Sequence, residues 1–205
     1  MRTFAGHTAF PGGRCDSPEE GPWETALREA KEEIGFDPTK FHFERLCMLP
    51  CFLSRNHLVV RPCVCVVSCD GGTSPLQAIS SQMNPSEVEL TYSTKLRNFV
   101  DGKSREFDVL CAHDGYWEGY RWIYYEFEVF RQKYDDWVFS SRDSQLINEQ
   151  SNITSGLTSH IAVDCARIAF DQKPGTFPSL DQLGFENLIR QLLIDNSFHQ
   201  KSKKN

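Results

Sequence analysis

Apolar residues recur at helical spacing from Trp23 onward, with Ala26, Leu27, Ala30 and Ile34 on one face. Pro22 suits the first turn and Gly35 a C-terminal stop, so the pattern predicts a helix of about 12 residues. Before it, 3–10 is short, mixed and extended, Pro11-Gly12-Gly13 forces a turn, and 16–21 is a loop. Beyond the helix, strands are predicted over 43–53 and 58–68. The second is almost continuously apolar and suits a buried strand, with Pro62 marking an edge or a bulge. Residues 69–86 are rich in Gly, Ser and Pro and form a loop, and 87–97 is a further strand.

Residues 98–115 are polar and irregular and are expected to be an insertion. Over 116–130 the chain is strongly β-forming, and Ile123, Tyr125, Phe127 and Val129 make the core face. They alternate with Trp122, Tyr124, Glu126 and Glu128, of which the two glutamates are expected to line a solvated face. A second polar insertion covers 131–155. A helix over 156–170 carries the stripe Leu157, Ile161, Cys165 and Ile168. Another over 179–195 opens on a capping box of Ser179 and Gln182, and its face is Leu180, Leu183, Leu188, Ile189, Leu192 and Leu193. With no repeat and no boundary, the pattern predicts one α/β (α+β) domain over 1–195, followed by a polar basic tail at 196–205.

The 205 residues are enough for one substantial core. The formal charge of -6 argues against a nucleic-acid surface, and no apolar run approaches the roughly 20 residues of a membrane span. With no secretory segment over 1–15, the eight cysteines are expected to be reduced thiols in an intracellular protein. Cys47, Cys51, Cys63 and Cys65 lack a paired CxxC spacing and are expected to act as small apolar residues rather than zinc ligands.

The chemistry concentrates in Arg28-Glu29-Ala30-Lys31-Glu32-Glu33-Ile34-Gly35-Phe36. Glu29, Glu32 and Glu33 stand at i, i+3 and i+4, one face of the helix, where like charges repel by about 0.2–0.5 kcal/mol per pair. Such clustering suits a hard divalent cation, which takes oxygen ligands and bridges carboxylates to phosphates. A solvated acidic face, with Arg28 and Lys31 as partners, leaves the preceding Phe-Pro-Gly-Gly loop unexplained.

Gly13 with Glu19 or Glu20, followed by residues 28–36, resembles the Nudix box, G-x5-E-x7-R-E-U-x-E-E-x-G-U, where U is a bulky apolar residue. The second half matches fully. In the first, Gly13 reaches Glu19 in register but Arg28 comes one residue late, while counting back from Arg28 gives Glu20. A one-residue insertion in the loop accounts for both. Arg2-Thr3-Phe4-Ala5-Gly6-His7-Thr8-Ala9-Phe10-Pro11-Gly12-Gly13 is similar to the segment preceding the box in the coenzyme A diphosphatase branch, as is Gly156-Leu157-Thr158 opening a late helix. The resemblance implies a Nudix-type α/β/α sandwich with a mixed β-sheet. It also implies hydrolysis of the coenzyme A diphosphate, with Mg²⁺ or Mn²⁺ as cofactor and a small nucleotide as partner. The alternatives are pyrophosphatase action on oxidised nucleoside triphosphates or ADP-ribose, and a catalytically impaired nucleotide-binding module.

Carried over from the motif, Glu29 and Glu33 are metal ligands and Glu32 is a third ligand or the general base, with the carbonyl of Gly13 completing the shell. Arg28 is expected to fork to Glu20 or Glu19 and fix the loop. Arg2, His7, Gly12 and Gly13 are assigned to the substrate. His7 either bonds a phosphate or caps the turn, and Glu87 is a candidate further carboxylate. Trp117, Trp122 and Tyr124 either stack on adenine or pack. Met1 falls inside the branch motif, so the domain is expected to be incomplete at its N-terminus, with a sheet edge and an apolar face left open. Localisation is expected to be intracellular, in the cytoplasm or in a peroxisome, although the ending is not Ser-Lys-Leu, and the late start leaves a mitochondrion open as well. A homodimer is left open, and no membrane partner is expected.

Overall fold

The computed structural model describes residues 6–70, 74–79, 82–101, 107–117, 120–130, 138–139, 151–172 and 184–194. An irregular segment leads into helix α1, Pro22–Ile34. Its first turn is closed by the Gly21 N–H, which donates to Glu24 Oε2 at 2.7 Å. Its end is set by Gly35, left-handed at φ 73°. There the N–H groups of Gly35 and Phe36 donate to the carbonyls of Lys31 and Ala30. A Cβ at Gly35 would also strike Gln82, so both the dihedral and the close approach require glycine.

Strands β1 (His42–Met48) and β4 (Cys63–Ser68) pair antiparallel, with a register shift between Arg45 and Cys47. α1 lies over β1 through aromatic contacts. Trp23 meets Phe43 edge-on at 6.3 Å, Phe36 meets Phe43 at 5.9 Å, and the Arg45 guanidinium sits 5.0 Å over the Trp23 ring. Short strands β2 (Phe52–Leu53) and β3 (Val59–Val60) form a second antiparallel pair. After helix α2 (Pro75–Ile79) come β5 (Leu90–Thr91) and helix α3 (Asn98–Asp101). Long strands β6 (Phe107–Trp117) and β7 (Tyr120–Phe130) follow. Next are β8 (Val138–Phe139), which pairs with β5, and β9 (Ser151–Ser155), which pairs with β7. Helices α4 (Gly156–Ala169) and α5 (Glu186–Ile194) end the described chain. The fold mixes helix and strand as the sequence predicts, and the pairings among the described residues are antiparallel.

Two cores flank α4. On one side Ile123, Tyr125, Phe127 and Val129 of β7 pack with Phe99 and Val100 of α3 and with Ala162, Val163 and Ala166 of α4. These four β7 residues are the expected core face. On the other side Leu49, Phe52 and Leu53 pack with Phe185, Leu188, Ile189 and Leu192, and Leu157, Ile161 and Cys165 of α4 lie against them. α4 therefore uses most of its circumference, not one stripe, and Ile168 is 48% exposed. Leu193 likewise points outward, at 61% exposure.

Several boundaries differ from expectation. The predicted strand over 43–53 breaks between β1 and β2 at Pro50, which has no N–H for a ladder. The run over 58–68 breaks at Arg61-Pro62 for the same reason. The expected loop over 69–86 contains α2, and only Leu90–Thr91 of 87–97 is a strand. The two segments expected to be irregular contain regular structure among the described residues: α3 and much of β6 lie in the first, and β8 and β9 in the second. Ser179, Leu180, Gln182, Leu183 and the tail at 196–205 lie outside the described residues. Leu46, Met48 and Val66 of β1 and β4 are each about half exposed, leaving an apolar sheet face open. Among the described residues no helix is long and apolar enough to cross a membrane.

Candidate active site

α1 presents Arg28, Glu29, Glu32 and Glu33 towards the irregular segment before it. Arg28 is the hub. Its Nε donates to Glu20 Oε1 at 2.8 Å and its Nη2 to Glu20 Oε2 at 3.3 Å, a two-pronged contact. Nη2 also donates to the Arg14 carbonyl at 2.8 Å, and Nη1 to Glu29 Oε1 at 3.1 Å and Glu32 Oε2 at 3.4 Å. Asp16 Oδ2 lies 3.3 Å from Nε. Of the two candidate loop glutamates the structure takes Glu20, as the count back from Arg28 requires. Glu20 also accepts the Asp16 N–H at 2.7 Å. Its pKa is held at about 2, chiefly by the Arg28 bond and then by that N–H, and Arg28 is pushed up in return.

The glycine loop touches the same helix from the other side. The Gly12 N–H donates to Glu33 Oε2 at 3.1 Å. Gly13 lies against Glu29 so closely that a Cβ there would overlap the carboxylate. Burial raises the Glu33 pKa above the usual carboxylate range; the Gly12 N–H opposes this, and the charges of Glu29, Glu87 and Glu32 add to it. Glu87 lies in a turn docked at the end of α1 by the Asn84 N–H bond to the Glu33 carbonyl, and the Glu87 N–H donates to the Asn84 carbonyl.

The donor set suits a hard divalent cation: carboxylate oxygens around a glycine with no side chain, where a Cβ would fill the space beside Glu29. Among the described residues no three His, Cys, Asp or Glu side chains converge as a ready-made metal site. Glu29 and Glu32 turn to Arg28, and Glu33 turns to Gly12. Mg²⁺ is commonly held by one or two carboxylates, with water and phosphate completing its shell, and Glu29 and Glu33, one helical turn apart, are the two that would hold it. The cysteines are all free thiols and hold no zinc geometry among the described residues.

His7 is exposed, and Arg2 lies outside the described residues. The aromatic candidates are used in packing. Trp122 stacks on His160 at 5.4 Å and meets Tyr124 edge-on. The Tyr124 hydroxyl donates to Glu126 at 3.1 Å, and the Trp117 side chain lies outside what is described. Sequence reasoning missed Thr8 and Tyr92. Their hydroxyls join the glycine loop to β9 and have no motif signal, because a single Thr or Tyr is legible only once its partners are in place.

A model of the NUDIX domain matches residues 1–61, which hold the loop, α1 and the strands β1 to β3. The chain is 29% identical to peroxisomal coenzyme A diphosphatase 1 of Saccharomyces cerevisiae, over 92% of this chain and 66% of that protein. It is 24% identical to Nudix hydrolase 15, mitochondrial, of Arabidopsis thaliana, over 85% of this chain and 51% of the relative. It is 28% identical to the mitochondrial coenzyme A diphosphatase NUDT8 of Homo sapiens, over 52% of this chain and 42% of the relative. The chain thus spans less than two thirds of the length of these curated relatives. The family model covers the loop and the carboxylate helix, the two parts that Arg28 ties together, so residues 1–61 of this chain are similar to a NUDIX domain.

Proposed function

We propose that this chain hydrolyses the diphosphate of coenzyme A to 3′,5′-ADP and 4′-phosphopantetheine. Water adds to one phosphorus, the bond from that phosphorus to the bridging oxygen breaks, and the two phosphomonoesters part with release of a proton. The observation that carries the reading is the placement of Gly12 and Gly13 against Glu33 and Glu29, with Arg28 tying loop to helix. The coenzyme A branch is supported by the names of two relatives and by the residues 2–13 pattern.

Glu29 and Glu33 would hold Mg²⁺ or Mn²⁺, with Glu32 as a third ligand or as the base. When bound, the ion neutralises the phosphate oxygens and lowers the pKa of the attacking water. Arg28 keeps Glu29 aimed and holds the loop closed. Burial is the main cause of the raised Glu33 pKa, and the charges of Glu29, Glu87 and Glu32 add to it; a bound cation would offset both. Glu87 lies close enough to act on the same field.

Mass-spectrometric product analysis after incubation with coenzyme A and Mn²⁺ tests this, beside Glu29→Gln/Glu33→Gln. Release of 3′,5′-ADP by the wild type and not by the double variant supports the reading. Faster turnover of nucleoside triphosphates or ADP-ribose moves the assignment to another substrate in the same family. The carboxylates engaged by Arg28 and Gly12, rather than gathered on one point, favour a second reading, a nucleotide-binding module without turnover. Calorimetric binding of coenzyme A with no product in either metal supports that one.

A further inference from the structure

The segment 6–13 carries Gly12 and Gly13 to the carboxylate helix, yet it has no helix or strand, and only Thr8 in it is even half-buried. Apolar burial therefore does not hold it. At one end Arg28 holds the Arg14 carbonyl and Glu33 holds the Gly12 N–H. At the other end everything converges on Thr8.

The Thr8 hydroxyl lies 2.7 Å from the Ile153 carbonyl, 3.0 Å from Asn152 Oδ1 and 3.1 Å from the Tyr92 hydroxyl. The Tyr92 hydroxyl is in turn 2.7 Å from Thr154 Oγ1, and Thr154 is buried. Each hydroxyl has one proton, so the distances define a directed chain: Thr154 donates to Tyr92, Tyr92 to Thr8, and Thr8 to the Ile153 carbonyl. Separately, the Thr158 hydroxyl in the first turn of α4 donates to the Thr8 carbonyl at 2.9 Å. Thr8 is thus tied to β9 through its side chain and to α4 through its backbone. Four residues of extended chain reach at most about 14 Å, so fixing Thr8 confines Gly12 closely.

We propose that Tyr92 is a positioning residue for the glycine loop, acting through Thr8 to hold Gly12 and Gly13 against Glu33 and Glu29. It rests on the functional reading above for its effect on turnover, though not for its effect on the loop. Burial raises the Tyr92 pKa, so the phenol stays protonated and able to donate at neutral pH. Its ring supplies reach across the gap between β5 and β9, and its single O–H sets the direction of the chain. No apolar residue substitutes for that group.

The test compares Tyr92→Phe, Thr8→Val, their double variant and Thr8→Ser by steady-state kinetics with coenzyme A and Mn²⁺, and by amide hydrogen exchange without substrate. Misplacement of loop against helix is expected to lower kcat about 10- to 100-fold in Tyr92→Phe, with a smaller change in KM. The double variant is expected to fall no further than the worse single one, because both break the same chain. Thr8→Ser, which keeps the hydroxyl, is expected to restore most of the rate. The Gly12 and Gly13 amides should exchange faster in Tyr92→Phe while those of α4 do not. Wild-type exchange at Gly12 and Gly13 in Tyr92→Phe overturns the proposal, and so does faster exchange spread evenly through α4 and β7, which marks a general loss of stability. Should the wild type release no 3′,5′-ADP, the functional reading fails alone, and the exchange comparison still decides the role of Tyr92.

Discussion

Gly13 and Glu29 are in contact such that the glycine leaves no room for even one more carbon: a Cβ at position 13 would lie inside the Glu29 carboxylate. The obstacle is the far end of a flexible side chain, not backbone, so Gly13→Ala is accommodated by pushing Glu29 aside. The expected outcome is a folded protein whose stability changes by no more than about 0.5 kcal/mol and whose kcat/KM falls about 100-fold. Urea denaturation beside steady-state kinetics checks both halves. Loss of stability in step with activity would mean that the loop, rather than the carboxylate, had moved.

Arg28 makes a two-pronged contact with Glu20 and reaches the Arg14 carbonyl, Glu29 and Glu32 besides. A lysine keeps the charge and cannot make these contacts together. Arg28→Lys is therefore expected to lower kcat/KM about 10- to 100-fold, the range typical of groups that orient metal ligands. Glu20 adds a pH signature. Its pKa falls from 4.5 to about 2 on folding, so its contribution is complete above pH 4.5 and disappears as pH falls towards 2. Limited proteolysis of the 14–21 loop at pH 4 should find the wild type protected and Glu20→Gln cut.

Asp164 ties the last helix to the rest of the fold. It accepts the Gly184 N–H at 2.8 Å and the Arg167 guanidinium at 3.3 Å, and both side chains are buried. Gly184 itself packs on Pro50 and Cys51, where a Cβ would meet the Cys51 carbonyl. Asp164→Ala leaves Arg167 buried without its partner and the Gly184 N–H unsatisfied, which is expected to cost about 3–5 kcal/mol. Urea denaturation measures it. Asp164→Ala/Arg167→Met, which removes the stranded charge, should recover part of that loss.

The parts of the fold that could be read from the chain are those with a strict period. α1 is legible because its carboxylates, arginine and glycine stop occupy fixed offsets, and the core face of β7 because Ile123, Tyr125, Phe127 and Val129 alternate without a break. β6 is not legible. Its register shifts between Val109 and Cys111, so its side chains lose the two-residue alternation, and its order comes from pairing with β7. β9 reads Ser-Asn-Ile-Thr-Ser, polar except for Ile153, and is a strand because β7 offers it a ladder. The apolar set on α1 and the run in β4 were legible as element types, but not in depth: no residue of α1 is fully buried, and Val66 is 48% exposed. Depth depends on what covers an element, and a local pattern does not contain that. At the site, the carboxylates were legible and the choice of Glu20, with the Thr8–Tyr92 link, was not, since each depends on a loop conformation.

His160 is a buried base whose protonation is coupled to folding. It sits among Trp122, Tyr125 and Phe185, with ring centroids 4.9 to 5.4 Å away, and its Nε2 has no hydrogen-bond partner among the described residues. The imidazole is therefore held neutral, with the Ile123 carbonyl as its backbone partner. Burial is the main cause that lowers its pKa from 6.5 to about 4. Between those values the unfolded chain binds the proton and the native chain does not, so stability rises with pH across that window. The contribution is complete above pH 6.5 and declines as pH falls to about 4, by about 3 kcal/mol in all. His160→Gln has no such titration. Urea midpoints measured from pH 4 to pH 7.5 should therefore converge for the two proteins at the acid end and separate above pH 6.5, with the wild type the more stable there. Parallel profiles would show that the imidazole takes up its proton in the native state as readily as in the unfolded one, and the aromatic cage around it would then be open to water.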